Sequence, residues 1–396
     1  MIITHITDND LYSFSVNYFY MQKLPRAVGQ YKFVDRNGTV YPKGFSDEVM
    51  DEVKQMANIK ITDEEINYIQ NKCYFLPPFY TDFLRGFRFD PSEVKVIQDK
   101  EGHLDVTIEG PLYRTVFWEV PVLAIISELY HKHLSSKPDT KALLENNGKK
   151  VKFFADNDIK ISEFGTRRRY SKEIQEIVIK QFADAHTSNF VGTSNVYFAM
   201  KYGLTPIGTM SHQVISSIAA LYGYEQANFL AMEMWQDVFK GDLGIYLCDT
   251  FTTDVFLHNF SKQHAKLFDG VRLDSGDEIE NTKKVIARYR QLRIDPHSKT
   301  IVYSNALDSL EYIKEINDFA KDKVLLSMGI GTFLTCDVED KNTHKKIEPS
   351  NIVIKLFKVK ITELTEWKNC IKISDDEGKH IGNASEMDRC KKTLGI

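Results

Sequence analysis

The chain is poor in the features that announce a special environment. Its 396 residues include five cysteines. They stand at Cys73, Cys248, Cys336, Cys370 and Cys390, odd in number, scattered and never at metal-ligand spacing. That spacing excludes a structural zinc site and predicts a reducing, cytoplasmic setting. No stretch approaches the ~18–20 uninterrupted apolar residues of a membrane span, and no basic N-terminal region leads into an apolar core. A large charge of one sign is also missing. The formal net charge of −4 gives no global reason to bind nucleic acid or an anionic membrane, so neither is expected as a partner. Fixed-period repeats, low-complexity segments and disordered linkers are absent as well.

What is present is the composition of a soluble globular protein, 42% hydrophobic and 27% charged, long enough for two or three domains of roughly 100–200 residues each. Residues 1–150 mix element types. Val49, Met50, Val53 and Met56 recur at helical spacing from Ser46, Thr62 with Glu65 forms a capping-box pattern, and Trp118-Glu119-Val120-Pro121 opens an apolar helix. Val94–Ile97 and Leu104–Ile108 flank Asp99-Lys100-Glu101-Gly102 as a hairpin. This first region reads as α+β.

From about residue 151 the texture changes. Apolar runs at Leu204–Ile207, Gly244–Leu247, Gly270–Leu273, Thr300–Tyr303 and Val324–Leu326 alternate with helical patterns such as Ser171–Phe182, Asp277–Leu292 and Leu310–Phe319. Such alternation to about residue 336 predicts a parallel sheet, either a barrel or a doubly wound sheet. The segment from about 337 to 396 carries β-like alternation at Ile352–Ile361 and a turn signal at Asp375-Asp376-Glu377-Gly378. It is too short to form a good core alone, so it is expected to complete the sheet of residues 1–150.

Polar residues gather just after the strands of the middle region: Ser211 and His212, Asp249 and Thr250, Asp274 to Asp277, Ser304 and Asn305, then Gly329-Ile330-Gly331-Thr332. In a parallel barrel those strand ends meet on one face, where active sites are built. A lone histidine behind a probable N-cap such as Ser211 reads equally well as a packing residue; five coincident polar strand ends favour function. His212 could serve as a general base or as a nucleophile that is itself phosphorylated, with Asp249 orienting its ring. Strand alternation sends Arg272 and Asp274 to one side, and carboxylates there suit a sugar diol or Mg²⁺ carrying a diphosphate. Gly331 and Thr332 follow a late strand, a habitual phosphate position. Arg167, Arg168 and Arg169 crowd three guanidinium groups beside Phe164, a possible stacking surface.

Several stretches together resemble the nicotinate phosphoribosyltransferase family of type II phosphoribosyltransferases. They are EFGTRRRYS from Glu163, FVGTSNVYFA from Phe190, GTMSHQ from Gly208, FDGVRLDSGD from Phe268, YSNALD from Tyr303 and GIGTFLTCD from Gly329, preceded by TDNDLY from Thr7 and WEVPVLAIISE from Trp118. The resemblance covers most of the chain, in order. It implies an α/β class with an irregular α/β barrel as the catalytic domain (151–336) and an α+β domain (1–150) completed by about 337–396.

By that resemblance, nicotinate and phosphoribosyl pyrophosphate give nicotinate mononucleotide and diphosphate, the first step of NAD salvage from nicotinate, coupled to ATP hydrolysis through a phosphohistidine at His212. Mg²⁺ and ATP are implied, without any side chain marked as a metal ligand. A homodimer with shared sites is also implied, Tyr12 of one subunit stacking the pyridine ring against Phe164 of the other. Arg167 and Arg272 match positions that hold anionic groups, and Asp274 matches a ribose-binding carboxylate. Ser304, Asn305, Gly331 and Thr332 match a 5′-phosphate cradle. Ser194 stands where nicotinamide enzymes carry aspartate, which favours nicotinate, since a carboxylate would repel the acid. Gln213 stands where many relatives carry glutamate, leaving Asp249 as the candidate acid for the histidine. The alternatives are a nicotinamide or quinolinate phosphoribosyltransferase, or a non-catalytic phosphoribosyl or nucleotide sensor.

Overall fold

A computed structural model describes residues 1–396. Two sheets organise it. The first is antiparallel and joins distant parts of the chain: β1 (Val28–Asp35), β2 (Val94–Gln98) and β3 (Leu104–Pro111) from the N-terminal region, with β13 (Ile352–Lys360) and β14 (Lys368–Asn369) from the C-terminal one, in the order β14-β13-β1-β3-β2. The C-terminal tail therefore does complete the N-terminal sheet. Its long strand pairs with β1 from Val28↔Lys360 to Asp35↔Ile352. The 94–108 hairpin forms in the expected register, Val94 opposite Ile108 and Gln98 opposite Leu104.

The second sheet is parallel, with β4 (Ile161–Glu163), β5 (Phe190–Thr193), β6 (Thr205–Pro206), β7 (Ile245–Leu247), β8 (Gly270–Leu273), β9 (Thr300–Tyr303) and β10 (Leu325–Ile330). Its order, β6-β5-β4-β10-β9-β8-β7, is chain order written around a ring, since the last strand pairs with the first, Met328 beside Ile161. The expected barrel is thus present but open on one side, between β6 and β7. Pro206 lacks an N–H and shortens β6 to two residues, which leaves it an edge. The Thr209 hydroxyl donates to the Ile245 carbonyl at 2.8 Å across this seam. A further short pair, β11 (Val338–Glu339) with β12 (Lys346–Ile347), follows the barrel.

Helix boundaries follow the expected signals closely. Thr62 and Glu65 cap each other reciprocally, Ser171 caps the helix Lys172–Asp184, and Asp277 caps Glu278–Gln291. Ser211 sits at the N-cap of the helix His212–Tyr222 but makes no cap bond, and its Oγ is buried without a partner. The turn after Asp375 is looser than a hairpin, with a 3-10 turn at Glu377–Lys379 and one antiparallel bridge, Lys372 with Ile381. One continuous apolar core runs beneath both sheets. A buried ion pair ties the N-terminal segment to the barrel, Arg169 Nη1 donating to Asp8 Oδ1 at 2.8 Å with both side chains fully buried. No helix is long and apolar enough to cross a membrane.

Candidate active site

A cavity of about 630 Å³ opens at the C-terminal ends of the barrel strands, roofed by the C-terminal segment and by the edge of the antiparallel sheet. The structure brings eleven of the twelve residues singled out from the sequence to its wall: Tyr12, Phe164, Arg167, Ser194, His212, Arg272, Asp274, Ser304, Asn305, Gly331 and Thr332. Asp249 is the exception, fully buried one layer behind. All but Tyr12, which the helix Leu11–Lys23 brings, converge because they lie at or just after the C-terminal ends of strands of one ring.

His212 is the first residue of its helix, and its ring is held by three neighbours. Nδ1 lies 2.9 Å from Thr250 Oγ1, while Nε2 lies 2.9 Å from Lys372 Nζ and 3.2 Å from Asp274 Oδ2. Asp249 Oδ1 is 3.8 Å from Nε2, too far for a hydrogen bond. The expectation that Asp249 orients the ring is therefore corrected: Thr250 and Asp274 touch the ring, and Asp249 instead accepts from Ser275 Oγ at 2.6 Å and stands 3.5 Å from Lys372 Nζ. Burial lowers the His212 pKa to about 4, helped by Lys372 and opposed by the two carboxylates. The ring is neutral at physiological pH. The neutral ring cannot satisfy both neighbours of Nε2 at once: with its proton on Nδ1, toward Thr250, Nε2 accepts from the donor-only Lys372 ammonium, and with its proton on Nε2 it donates to Asp274.

Asp274 lines the cavity against the histidine. Burial works against its charge, but the His212 hydrogen bond, Arg272 and Lys372 hold its carboxyl well below the usual range. Ser304 Oγ donates to Asp274 Oδ1 at 2.7 Å, and Lys379 Nζ donates to the Asp274 main-chain oxygen at 2.7 Å and to Asn305 Oδ1. Arg272 Nη1 reaches the Met210 carbonyl at 3.4 Å, yet its Nε is buried without an acceptor. Arg168 also lines the cavity. Burial, and then the neighbouring Arg167 and Arg36, lower its pKa to about 10. Cations this crowded fit an anionic occupant. The third arginine of the run, Arg169, belongs to the buried ion pair and not to the cavity.

At the other end of the cavity the rings of Tyr12 and Phe164 face a polar cluster. Ser194 Oγ donates to Asp10 Oδ1 at 2.8 Å, and the Arg167 guanidinium stands 3.9 Å from Asp10, 3.5 Å from Glu119 and 5.9 Å from the Tyr12 ring centroid. Burial raises the Asp10 pKa, with Arg167 and Ser194 opposing it. Tyr12 and Phe164 line this cavity within one chain, whereas the resemblance implied that Tyr12 would arrive from a partner subunit. The reason is local: Asp10 bridges to Asn195, and the Leu11 amide donates to the Ser194 carbonyl at 2.8 Å, which docks the helix Leu11–Lys23 on its own barrel. Gly329 lies inside β10 and not after it. A Cβ there would come within 2.4 Å of the Phe164 ring, so this glycine makes room for the aromatic, while Gly331, with nothing nearer than 3.7 Å, faces open space.

Lys355, Lys372 and Lys379 line the cavity and carry no motif that would have marked them; only the docking of the C-terminal segment brings them to the barrel. Asp10 and Glu119 lay in stretches that did stand out, but without an assigned role. For a cation, His212, Asp249 and Asp274 place donor atoms within 4.8 Å of one another. Lys372 Nζ already occupies that cluster, and Mg²⁺ prefers a set of oxygens. The cluster does not fit as an all-protein Mg²⁺ cage. Asp274, open to the cavity, does fit as a single carboxylate ligand completed by substrate phosphates.

Comparison with known proteins agrees with this geometry. The model of the nicotinate phosphoribosyltransferase (NAPRTase) family matches residues 159–396, and that of the NAPRTase N-terminal domain matches residues 7–127. The chain is 43% identical to a nicotinate phosphoribosyltransferase of Desulforapulum autotrophicum, covering 99% of each protein, and 38% identical to one of Chromohalobacter salexigens, covering 100% of this chain and 99% of the other. Among solved structures, nicotinate phosphoribosyltransferase from Porphyromonas gingivalis superposes with a TM-score of 0.96 at 42% identity over 100% of both chains. A putative nicotinate phosphoribosyltransferase from Saccharomyces cerevisiae superposes with 0.93 at 32% identity over 100% of this chain and 98% of the other.

Proposed function

The chain belongs to the nicotinate phosphoribosyltransferase family, and we propose that its cavity joins nicotinate to phosphoribosyl pyrophosphate, releasing nicotinate mononucleotide and diphosphate, with ATP hydrolysed through a phosphohistidine at His212. The observation that carries the ATP-coupled part is the state of His212: a buried, neutral imidazole whose Nε2 lies between Lys372 and Asp274 and carries a free lone pair in the tautomer that accepts from Lys372.

Nε2 attacks the γ-phosphorus of ATP; an N–P bond forms, the bond to the β-phosphate oxygen breaks, and ADP leaves. Lys372, 2.9 Å from that nitrogen, is placed to neutralise the incoming phosphoryl oxygens. The phosphoenzyme then holds phosphoribosyl pyrophosphate and nicotinate together. The pyridine nitrogen attacks the anomeric carbon while its bond to diphosphate breaks, through an oxocarbenium-like state. Arg272, with a free Nε, faces the departing anion. Asp274, kept ionised, faces the ribose hydroxyls and the cationic carbon. Ser304, Asn305, Gly331 and Thr332 are placed for the 5′-phosphate. Water finally hydrolyses the phosphohistidine to free phosphate.

Mg²⁺ supplies charge neutralisation of the diphosphate when bound, and Asp274 is the carboxylate that could hold it there. Tyr12 and Phe164 supply faces for the pyridine ring, and Arg167 a cation for its carboxylate. A hydroxyl at Ser194 adds no further carboxylate to the Asp10 and Glu119 already at that end of the site, which supports nicotinate over the amide. Any homodimer would not be needed to bring the two rings together, since both line the site of one chain.

Purified protein with nicotinate, phosphoribosyl pyrophosphate and Mg²⁺ is expected to release diphosphate slowly without ATP and faster with it. His212→Ala is expected to lose the ATP response while keeping slow transfer. An equal ATP response in that variant would overturn the phosphohistidine. Release with quinolinate alone, indifferent to ATP, would favour the quinolinate alternative, and no release with any pyridine would favour a sensor.

A further inference from the structure

Beside the main cavity lies a second one of about 310 Å³, at the small end of the roughly 300–1,000 Å³ range of ligand pockets. It sits on the face of the antiparallel sheet turned away from the core. Strand alternation puts Lys32 and Val34 of β1, and Arg36 just beyond it, beside Val353, Lys355 and Phe357 of β13, with Lys32 opposite Lys355 and Val34 opposite Val353. The register then shifts, because the two steps of β13 from Leu356 to Lys358 oppose the single step of β1 from Tyr31 to Gln30. This bulge falls at Phe357. It leaves that ring on the cavity side, while Val359, two residues on, returns to the core.

The chemistry of the wall is lopsided. Lys32, Arg36, Lys355 and His380 supply cations or potential cations, and Val34, Phe357 and Ile381 an apolar floor; no carboxylate lines it. Acids paired with its lysines lie outside it, Asp105 at 3.4 Å from Lys32 and Glu119 at 3.9 Å from Lys355. A flat apolar floor under a cationic rim suits a base carrying phosphates.

Position completes the case. Arg36, Lys355 and Ile381 line both cavities, so the two share a wall. Ile381 also exchanges both backbone hydrogen bonds with Lys372, at 2.9 and 3.0 Å, which puts the two Cα atoms about 5.5 Å apart. Lys372 in turn touches His212 Nε2 at 2.9 Å. From the second cavity to the histidine is therefore one bridged residue pair and one lysine side chain, a span within the length of an extended nucleoside triphosphate.

We infer that the second cavity is the nucleoside subsite for the phosphoryl donor. The purine and ribose of a nucleoside triphosphate lie against Phe357 and Ile381, and the phosphates run past Lys355 and Arg36 to His212. Burial, with Arg167 and Lys372 adding to it, lowers the Lys355 pKa to about 8, as expected for a cation awaiting an anion. The arrangement lets ATP reach His212 while the pyridine end of the main cavity, at Tyr12 and Phe164, stays free. This inference rests on the ATP-coupled reading given above and locates the donor within it.

The test measures KM for ATP and for phosphoribosyl pyrophosphate, and calorimetric binding of the non-hydrolysable analogue AMP-PNP, in wild type, in the double variant Lys32→Glu/His380→Ala and in Phe357→Ala. None of these side chains lines the main cavity. The expected result is a rise of at least tenfold in KM for ATP and in the AMP-PNP dissociation constant, with KM for phosphoribosyl pyrophosphate within threefold of wild type. An unchanged KM for ATP, or an equal rise for both substrates, would overturn the assignment. If Phe357→Ala does not fold, Phe357→Leu, which keeps apolar bulk but not the flat face, serves in its place with the same expected direction. A wild type whose turnover ignores ATP and which carries no acid-labile phosphate on His212 would overturn the ATP-coupled reading first, and this assignment with it; an ATP-responsive wild type with unaffected variants would overturn the subsite alone.

Discussion

Replacing Lys372 by methionine should convert His212 from a nucleophile that works across the neutral range into one that fails on the acid side. Lys372→Met keeps the volume of a nearly buried side chain and removes its charge. In the wild type two influences hold the ring's pKa at about 4, burial first and the lysine second. At an effective dielectric constant of about 20, a unit charge about 4 Å away contributes roughly 4 kcal/mol, close to a thousandfold in proton affinity. The full effect will not appear. Lys372 also helps keep Asp249 ionised, and in the variant that carboxyl takes up part of the proton. A rise of the ring's midpoint from about 4 to somewhere around 6–7 remains. At pH 6 the neutral fraction would then drop roughly two- to tenfold, whereas at pH 8.5 it would be nearly unaffected. Rapid-quench measurement of acid-labile phosphate transferred from γ-labelled ATP, between pH 5.5 and 8.5, reads this directly, and nitrogen NMR of the imidazole reads the midpoint. An acid limb that stays where it is in wild type would refute the role given to Lys372, whatever the variant does to the overall rate.

Three other changes bear on separate parts of the site. His212 has its folded pKa lowered to about 4 from 6.5, so between those values the unfolded chain binds the extra proton; stability is full above about pH 6.5 and falls by about 3 kcal/mol as pH drops to 4. Urea titrations from pH 7 to 5 should show a shallower fall in His212→Asn than in wild type, and parallel falls would contradict the buried neutral ring. Ser194→Asp puts a carboxylate beside Asp10, whose Oδ1 now accepts from Ser194 at 2.8 Å. It should cut kcat/KM for nicotinate at least tenfold while nicotinamide gains, and a uniform loss for both would argue that Ser194 only packs. Gly329→Ala drives a Cβ to 2.4 Å from Phe164; the ring must move, KM for nicotinate should rise several-fold, and KM for phosphoribosyl pyrophosphate should change little in initial-rate assays.

Local signals in the sequence carried far because the elements here are capped and bounded by strong chemistry. The strands Gly270–Leu273 and Thr300–Tyr303 were legible to the residue, since a buried parallel strand is an apolar run, and the helix read as Asp277–Leu292 runs Glu278–Gln291 with Asp277 as its cap. The seam between β6 and β7 was not. A two-residue strand ending in proline looks like a longer apolar run until its missing hydrogen bonds are seen. Residues supplied by strand ends reached the cavity as a group, because a ring of parallel strands forces them to one face. Lys372, Lys379 and Lys355 were illegible for the opposite reason. They lie on an antiparallel edge and an irregular tail, where no period or motif encodes which face will meet the barrel, and only long-range docking decides it.

The same distinction settles what Gln213 does. A glutamine after the histidine, where many relatives have an acid, suggested that the ring had lost its partner. In the structure the Gln213 side chain turns away from the ring: Tyr31 donates to its Oε1 at 2.6 Å, and its Nε2 points to Glu119 at 3.5 Å. Side chains of adjacent residues at the start of a helix diverge by about 100°, so a residue at this position is directed to the antiparallel sheet while His212 is directed to the strand ends. The acids facing His212 come from the barrel, Asp274 in contact and Asp249 behind Lys372. A carboxylate at position 213 would therefore act on Glu119, and through it on Arg167 and the pyridine end of the cavity, before it acted on the histidine. Gln213→Glu should accordingly alter KM for nicotinate more than the pH profile of phosphohistidine formation, and a shift confined to that profile would show that the neighbour does reach the ring.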